Sequence, residues 1–447
     1  MSVAERALFI FRRDLRLTDN RGLEAAAAAR EVIPVFHADA VLMDRWATAG
    51  KRLAFLRQQL NRLDAELKAQ NSRLHVVADS TETLVAECRQ QGIGAIYQHR
   101  DHTPYARRRD AGLRRHCAAA GIGFHNIDDM TLNAPETVLK KDGTPYTVFT
   151  PYYNRAVDET VDAPATHVPG NLGLCEVLAT KAVDEIFRGL DLPSAASDDP
   201  CVPPSLTERL RPLADYGEAR DFPAQRGTSR LSAHIRFGTF SPRQIYLAIL
   251  EEHGTDHPLI RQLYWRDFYY QIAFHFPHVF TGPFRQQYRG IAWRSGEEGL
   301  SRWYEGRTGF PIIDAGMREL VETGYMHNRV RMVVASYLTK NLGYHWKKGE
   351  AFFARHLRDF DPAVNNGNWQ WASSTGCDAQ PYFRVFNPWR QQKKFDPDAA
   401  YIQRWVPELR AMTAKDIHGL EKAPQGYIEP QVDLKLSADA AKQRFRE

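Results

Sequence analysis

Cysteine is scarce and scattered in this sequence. The five cysteines, Cys88, Cys117, Cys175, Cys201 and Cys377, are odd in number and form no CxxC pair. That argues against a disulfide framework, a zinc site or an iron–sulfur cluster and fits a reducing compartment. Long hydrophobic runs are missing too, since no stretch reaches the roughly 18 apolar residues of a membrane span. The apolar segment nearest the start, Ala7-Leu8-Phe9-Ile10-Phe11, runs straight into charge and does not read as a signal peptide. The expectation is a soluble, cytoplasmic monomer with no metal centre and no membrane partner. A glycine-rich GxGxxG turn is also absent. After the first apolar run the chain has Arg12-Arg13-Asp14-Leu15-Arg16-Leu17-Thr18-Asp19-Asn20 instead, which argues against NAD binding at that turn. There is no internal repeat and no low-complexity tract. A net charge of +5 is compatible with a nucleic-acid partner without demonstrating one.

The first third alternates two patterns. Short apolar runs at 7–11, 32–36, 73–77 and 95–97 have the look of buried parallel strands. Helical patterns at 23–30, 51–70 and 80–91 separate them, which predicts a doubly wound parallel sheet. From about 130 to 204 the periodicity breaks down into Pro, Gly, Asp and Thr, as expected of a long connector over the surface. Beyond 206 the chain turns helical, with apolar residues at three- and four-residue spacing over 244–252, 259–274, 309–323 and 327–342. The fold expected is therefore α/β plus all-α: residues 1–130 as the sheet domain, 131–204 as linker and 205–447 as a helical domain.

What the chain does have is tryptophan in one place. Eight of the nine, Trp265, Trp293, Trp303, Trp346, Trp369, Trp371, Trp389 and Trp405, lie beyond residue 260. A lone Trp is more often core packing than a site, but here they are interleaved with Arg, Asn and Asp. In Asn365-Asn366-Gly367-Asn368-Trp369-Gln370-Trp371-Ala372-Ser373-Ser374-Thr375-Gly376 two indoles flank one residue, followed by small residues that let a flat ligand approach the backbone. Gln262, Trp265, Arg266 and Tyr269 share one helix face that is too polar for a core; it reads either as a base-stacking surface or as a polar seam between helices. Asn328, Arg331 and Met332 share another face, with Arg329 beside them. A buried Arg331 needs a carboxylate, which Asp359 or Asp361 could supply. Gly227-Thr228-Ser229-Arg230-Leu231-Ser232 offers hydroxyls and amides for a phosphate, or simply an N-cap followed by a helix.

These blocks, together with 11–20, 263–268, 309–315, 326–332 and Pro381-Tyr382-Phe383-Arg384-Val385-Phe386-Asn387-Pro388, resemble the signature segments of the photolyase/cryptochrome flavoproteins, in the family's order and across nearly the whole chain. The resemblance implies a Rossmann-like antenna domain, a linker and a helical domain holding FAD. It implies that Tyr216, Thr228, Ser229, Arg230, Leu231 and Ser232 contact the FAD phosphates and ribityl chain. Arg266, Asn328, Arg331, Asp359, Asp361 and Asn365 would surround the flavin, with Arg331 and Asp359 paired and Asn365 facing its N5. Trp369, Trp346 and Trp293 would form the chain carrying an electron to photoexcited FAD. The partner implied is UV-damaged DNA, with Trp265 and Trp371 as stacking walls for a flipped-out dimer and Gln262, Asn328, Arg329 and Met332 as its other neighbours. Arg220 is a candidate phosphate contact.

The reaction implied is light-driven splitting of cyclobutane pyrimidine dimers by electron transfer from reduced FAD. One departure bears on it. Dimer-repairing members usually carry Glu where this chain has Gln262, which can hydrogen-bond a base but cannot transfer a proton, so a lowered splitting efficiency is expected. Enzymes for (6-4) photoproducts typically have Gln there, yet the histidine-bearing segment they use as acid is replaced at Asn328 and Met332. A (6-4) photolyase and a cryptochrome, a blue-light sensor without repair, stand as alternatives. The absence of a long tail after 388 and the presence of Trp265, Trp371 and Met332 favour repair. A second antenna chromophore is left open among deazaflavin, folate and flavin. The segment Tyr105-Ala106-Arg107-Arg108-Arg109-Asp110 sits where the family shapes that pocket, and it also reads as a solvated helix face.

Overall fold

The structure, a computed structural model, describes residues 4–175, 178, 180–193, 205–378, 384–420 and 427–446. Cys201, the end of the expected linker and Pro381, Tyr382 and Phe383 of the motif near the end lie outside them. The chain forms two compact units. The first comprises Met1–Tyr146, Thr150–Arg211 and Arg230–Pro277; the second comprises Thr147–Phe149, Pro212–Ser229 and His278–Glu447.

The first unit is built on five parallel strands, β1 (Arg6–Phe11), β2 (Glu31–His37), β3 (His75–Val77), β4 (Ile93–His99) and β5 (Gly123–Ile127), in the order β3-β2-β1-β4-β5. Alternation along the strands loads both faces. Ala7, Phe9 and Phe11 of β1 pack with Leu53, Leu56 and Leu60 of the helix Gly50–Lys68. Leu8 and Ile10 pack on the other side with Leu84, Val85, Leu113 and Cys117 of the helices Thr81–Gln90 and Pro104–Ala120. The fifth strand was not anticipated. Its residues Gly123-Phe124-His125-Asn126-Ile127 are all at least partly exposed, so this strand carries no apolar signature.

The expected connector does more than run over the surface. Val32 donates to the Asn171 carbonyl and accepts from Gly173 N–H, Val76 accepts from Lys181 N–H, and Leu172, Cys175, Leu178, Val183 and Phe187 are buried. Residues 12–20 are likewise held inside, by a network in which Asp129 pairs with both Arg16 and Arg243, Asp19 pairs with Arg243, and His99 Nδ1 contacts Asp14 at 2.9 Å. Gly238, at φ +65°, lies where a Cβ would meet the Arg13 carbonyl oxygen at 2.1 Å, so only glycine lets the backbone pass. The helices Ser232–Phe237, Pro242–His253 and Pro258–His275 also belong to this unit.

The second unit is helical. Its core gathers the helices Pro311–Thr323, Asn328–Ser336, Trp346–His356 and Pro362–Ala372 around Trp303, Met317, Val334, Tyr337, Tyr344 and Trp346. The helix Asn328–Ser336 runs directly into a π-helical turn, Tyr337–Asn341, closed by a 2.9 Å bond from Leu342 N–H to the Tyr337 carbonyl. All five residues of the turn are buried, Lys340 included, and such turns are rare. Lys340 reaches the Arg384 carbonyl at 2.5 Å, and burial, with the Arg384 cation adding to it, lowers its ammonium to about 7.

Candidate functional site

In the helical unit the site begins at Gly227, whose Cβ would lie 2.6 Å from the Ala219 carbonyl oxygen. Only glycine therefore lets Thr228 and Ser229 pass against the turn Tyr216–Ala219. Burial pushes the Tyr216 phenol up to about 12, against the pull of Arg220, so it stays a hydroxyl donor at neutral pH. The half-buried Arg220 guanidinium stands 5.7 Å from the Tyr216 ring centre. Arg230, Leu231 and Ser232 fall in the other unit. Arg230 has φ +51°, Leu231 is buried and Ser232 is exposed at the start of a helix that has no side-chain cap.

Arg331 and Asp359 are joined at 2.9 Å, and Arg331 Nε also donates to the Met326 carbonyl at 2.7 Å. Burial alone would lower the guanidinium, but the Asp359 charge outweighs it and raises its pKa. Of the two carboxylates open to Arg331 in the sequence, the pairing goes to Asp359. Asp361 Oδ1 caps the helix Pro362–Ala372, accepting from Ala363 and Val364 N–H at 3.0 and 3.2 Å. That helix makes Asn365, Trp369 and Trp371 neighbours along its length. Asn365 Nδ2 donates to the Glu350 carbonyl at 3.2 Å, which orients the amide so that Oδ1 is the acceptor it offers.

Of the three tryptophans assigned to an electron route, two are buried and one is not. Trp369 and Trp346 are 2% and 1% exposed, and Trp293 is half-buried. Trp369 is wedged against Gly349, where a Cβ would come within 2.1 Å of its Cη2, and its ring meets Phe353 and Trp303 edge-on at 5.0 and 6.3 Å. Trp293 packs on His345 at 5.2 Å and on Phe445 at 5.8 Å.

Of the expected DNA neighbours in this unit, Asn328 is exposed, with Nδ2 3.9 Å from the half-buried Met332 sulfur, and Trp371 is half-buried. Arg329 is already engaged: it pairs with Asp221 at 2.8 Å and stacks over the Phe395 ring at 4.2 Å. The other expected neighbours lie in the sheet-centred unit, on the helix Pro258–His275. Trp265 is half-buried and 5.8 Å from Tyr269, while Gln262 reaches the Pro258 carbonyl only at 3.5 Å, so its amide is weakly held. Arg266 bonds the Met130 carbonyl and lies 4.6 Å over the Tyr270 ring. Its neighbour Asp267, buried and raised to about 7 by desolvation despite Arg266, accepts from Leu132 N–H at 2.7 Å.

Two residues at the site escaped the sequence reading. Glu350 accepts from Asn366 Nδ2 at 2.8 Å, and burial raises its carboxyl to about 7. His345 caps the helix Trp346–His356. Nothing in the local pattern marks either one, since a single polar residue on an amphipathic helix ordinarily faces water. Among the described residues no His, Cys, Asp and Glu group could hold a metal, and no helix is long and apolar enough to cross a membrane.

The donor set suits a flavin dinucleotide. Hydroxyls gathered by Gly227 can serve a diphosphate, and an amide oxygen and an internally neutralised cation can serve the polar edge of a flat ring. Comparison with known proteins agrees. Residues 259–447 match the FAD binding domain of DNA photolyase, and residues 7–169 match the DNA photolyase family. A deoxyribodipyrimidine photo-lyase of Synechococcus is 36% identical, covering 96% of this chain and 94% of its own length. Among solved structures, a Sulfolobus tokodaii photolyase described with two FAD molecules superposes with a TM-score of 0.88 at 38% identity, covering 99% of each chain. A Synechocystis cryptochrome superposes with a TM-score of 0.88 at 27% identity, also covering 99% of each chain. The chain belongs to the photolyase/cryptochrome family.

Proposed function

We propose that this protein is a deoxyribodipyrimidine photo-lyase, which repairs UV-damaged DNA by splitting cyclobutane pyrimidine dimers in blue light with FAD as cofactor. The observation that carries the reading is the end-to-end likeness to curated photo-lyases. In this reading residues 1–130 serve light harvesting, 131–204 connect, and 205–447 hold the flavin and the lesion.

When bound and reduced, FAD supplies on excitation the electron that opens the dimer and takes it back afterwards. The chain's own residues do the rest. Tyr216, Thr228, Ser229, Arg230, Leu231 and Ser232 bind the phosphates and ribityl chain. Arg331, its charge balanced by Asp359, presents fixed N–H donors to the ring, and Arg266, Asn328 and Asp361 line its other sides. Asn365, oriented through Glu350, offers an acceptor at the ring. Trp369, Trp346 and Trp293 pass an electron inward when the cofactor arrives oxidised. The lesion must leave the duplex, at a cost of a few kcal/mol, and stacking at about 1–3 kcal/mol per base on Trp265 and Trp371 offsets that. Gln262 hydrogen-bonds the base edge and leaves proton inventory unchanged; Arg329, Met332 and Arg220 complete the DNA surface. The protein acts inside the cell as a monomer.

A second chromophore fits the sheet-centred unit. The strand order reverses between β1 and β4, the kind of crevice where open sheets bind ligands. Beside it, at the ends of β4 and β5, a cavity of about 230 Å³ is lined by Arg100, Asp101, His102, Arg107 and Arg114 among others. Its cations suit an anionic antenna.

The test is repair of defined oligonucleotides carrying one cyclobutane dimer or one (6-4) product, in light and dark. Light-dependent loss of the cyclobutane dimer alone is expected. Loss of the (6-4) product instead, or of neither while FAD photoreduces, would overturn the reading. In the same assay Gln262→Glu should raise the repair quantum yield.

A further inference from the structure

His345 stands between two of the tryptophans assigned above. Its ring centre is 5.2 Å from that of Trp293 and 5.4 Å from that of Trp346, with interplanar angles of 54° and 33°. The contact to Trp346 follows from adjacency in sequence. The contact to Trp293, 52 positions earlier in the numbering, does not.

We propose that His345 is a positioning residue of the electron route, the bridge through which Trp346 and Trp293 are coupled. The inference rests on the tryptophan route of the proposed function. Three observations carry it. The imidazole is fixed in place: Nδ1 accepts the Lys347 backbone N–H at 3.1 Å as the helix cap, so the ring can neither flip nor swing out without uncapping the helix. That same bond settles the tautomer, because an acceptor at Nδ1 leaves the proton on Nε2. Third, the ring is uncharged at neutral pH. Burial, with the Lys347 cation adding to it, pushes the imidazole down to about 4. A neutral ring places no repelling cation beside an indole that has just lost an electron. Phe445 packs on Trp293 edge-on at 5.8 Å and its plane is set at 89°, so aromatic groups from two segments confine the outer indole.

In the step itself one electron moves from the Trp293 indole to the oxidised Trp346 indole. Trp293 is oxidised, Trp346 is restored, and His345 gains and loses neither electron nor proton. An added thiol then returns an electron to Trp293.

The experiment uses the full chain with oxidised FAD bound, excited by a short flash, and reads the yield of the long-lived indole radical by transient absorption. His345→Asn keeps a cap acceptor and removes the ring; a several-fold lower yield is expected, with FAD content unchanged. His345→Phe restores a ring and removes the cap; the yield should recover. An unchanged yield in H345N, or one as low in H345F as in H345N, would overturn the bridge. Trp293→Phe is the control for the route beneath it. If that variant keeps the long-lived radical, the tryptophan route is wrong and the bridge falls with it, whereas loss of the radical in W293F with no effect of H345N defeats the bridge alone.

Discussion

Buried charge is handled in opposite ways by two regions of this molecule. Around residues 12–20 of the sheet-centred unit buried carboxylates meet cations or a ring N–H: Asp129 faces Arg16 and Arg243, Asp19 faces Arg243, and Asp14 meets His99 Nδ1. Burial alone would raise the Asp129 carboxyl, yet Arg16, His99 and Arg243 together hold it below its usual range. Along the helices Trp346–His356 and Pro362–Ala372 the polar groups are bonded mainly to neutral partners. Glu350 there meets an amide, and its carboxyl rises to about 7. The first region is a closed electrostatic scaffold that pins a loop. The second keeps its polar groups neutral or nearly so, which suits a place where charge is meant to come and go.

The contrast can be broken from its strongest side first. Asp129→Asn leaves Arg16 and Arg243 buried without their shared carboxylate and should cost about 3–5 kcal/mol of unfolding free energy, read by urea denaturation. A loss under about 1 kcal/mol would mean that water screens the network. On the other side, Gly349→Ala drives a methyl into the Trp369 ring. Overpacking of that kind costs about 1–3 kcal/mol, and FAD photoreduction should fall with it, read by bleaching under blue light.

Glu350 sharpens the comparison through pH. Its carboxyl titrates at about 7 in the folded chain against 4.5 for the free group. A raised carboxyl favours folding while it is protonated in both states, and that advantage is lost as pH climbs from about 4.5 through 7. Glu350→Gln keeps an acceptor for Asn366 and removes the titration. It should therefore stabilise the protein at pH 8 by up to about 2 kcal/mol and flatten the stability profile between pH 5 and 8. Thermal melts across that range would show it; an unchanged slope would put the titration elsewhere. The smallest effect is expected from Asp361→Ala, which removes a helix cap and should cost about 1 kcal/mol.

Much of this was legible in the residues. Four of the five strands announce themselves as short apolar runs because both faces of the sheet are covered there, and β5 stays silent because all its residues are at least partly exposed, unlike those of the other edge strand, β3. The need of Arg331 for a carboxylate could be read from the sequence. The choice of Asp359 over Asp361 could not, since it depends on Asp361 turning inward to cap its own helix. The tryptophans were visible as residues, and which of them lie buried was not. The connector's hold on the sheet rests on backbone bonds, which any side chain permits and none advertises. Glu350 and His345 owe their character to what surrounds them, and a one-dimensional pattern carries no record of surroundings.

The π-helical turn at Tyr337–Asn341 has a consequence for how this chain can be edited. Such a turn holds one residue more than an α-turn, and here it ends the helix: Leu342 leaves it and Gly343, at φ +75°, redirects the chain. Removing a single residue from the turn would shift that stop by one position, about 100° around the helix axis. A length variant here would therefore re-aim the segment that leads into the helix Trp346–His356, and would be felt far more sharply than a substitution.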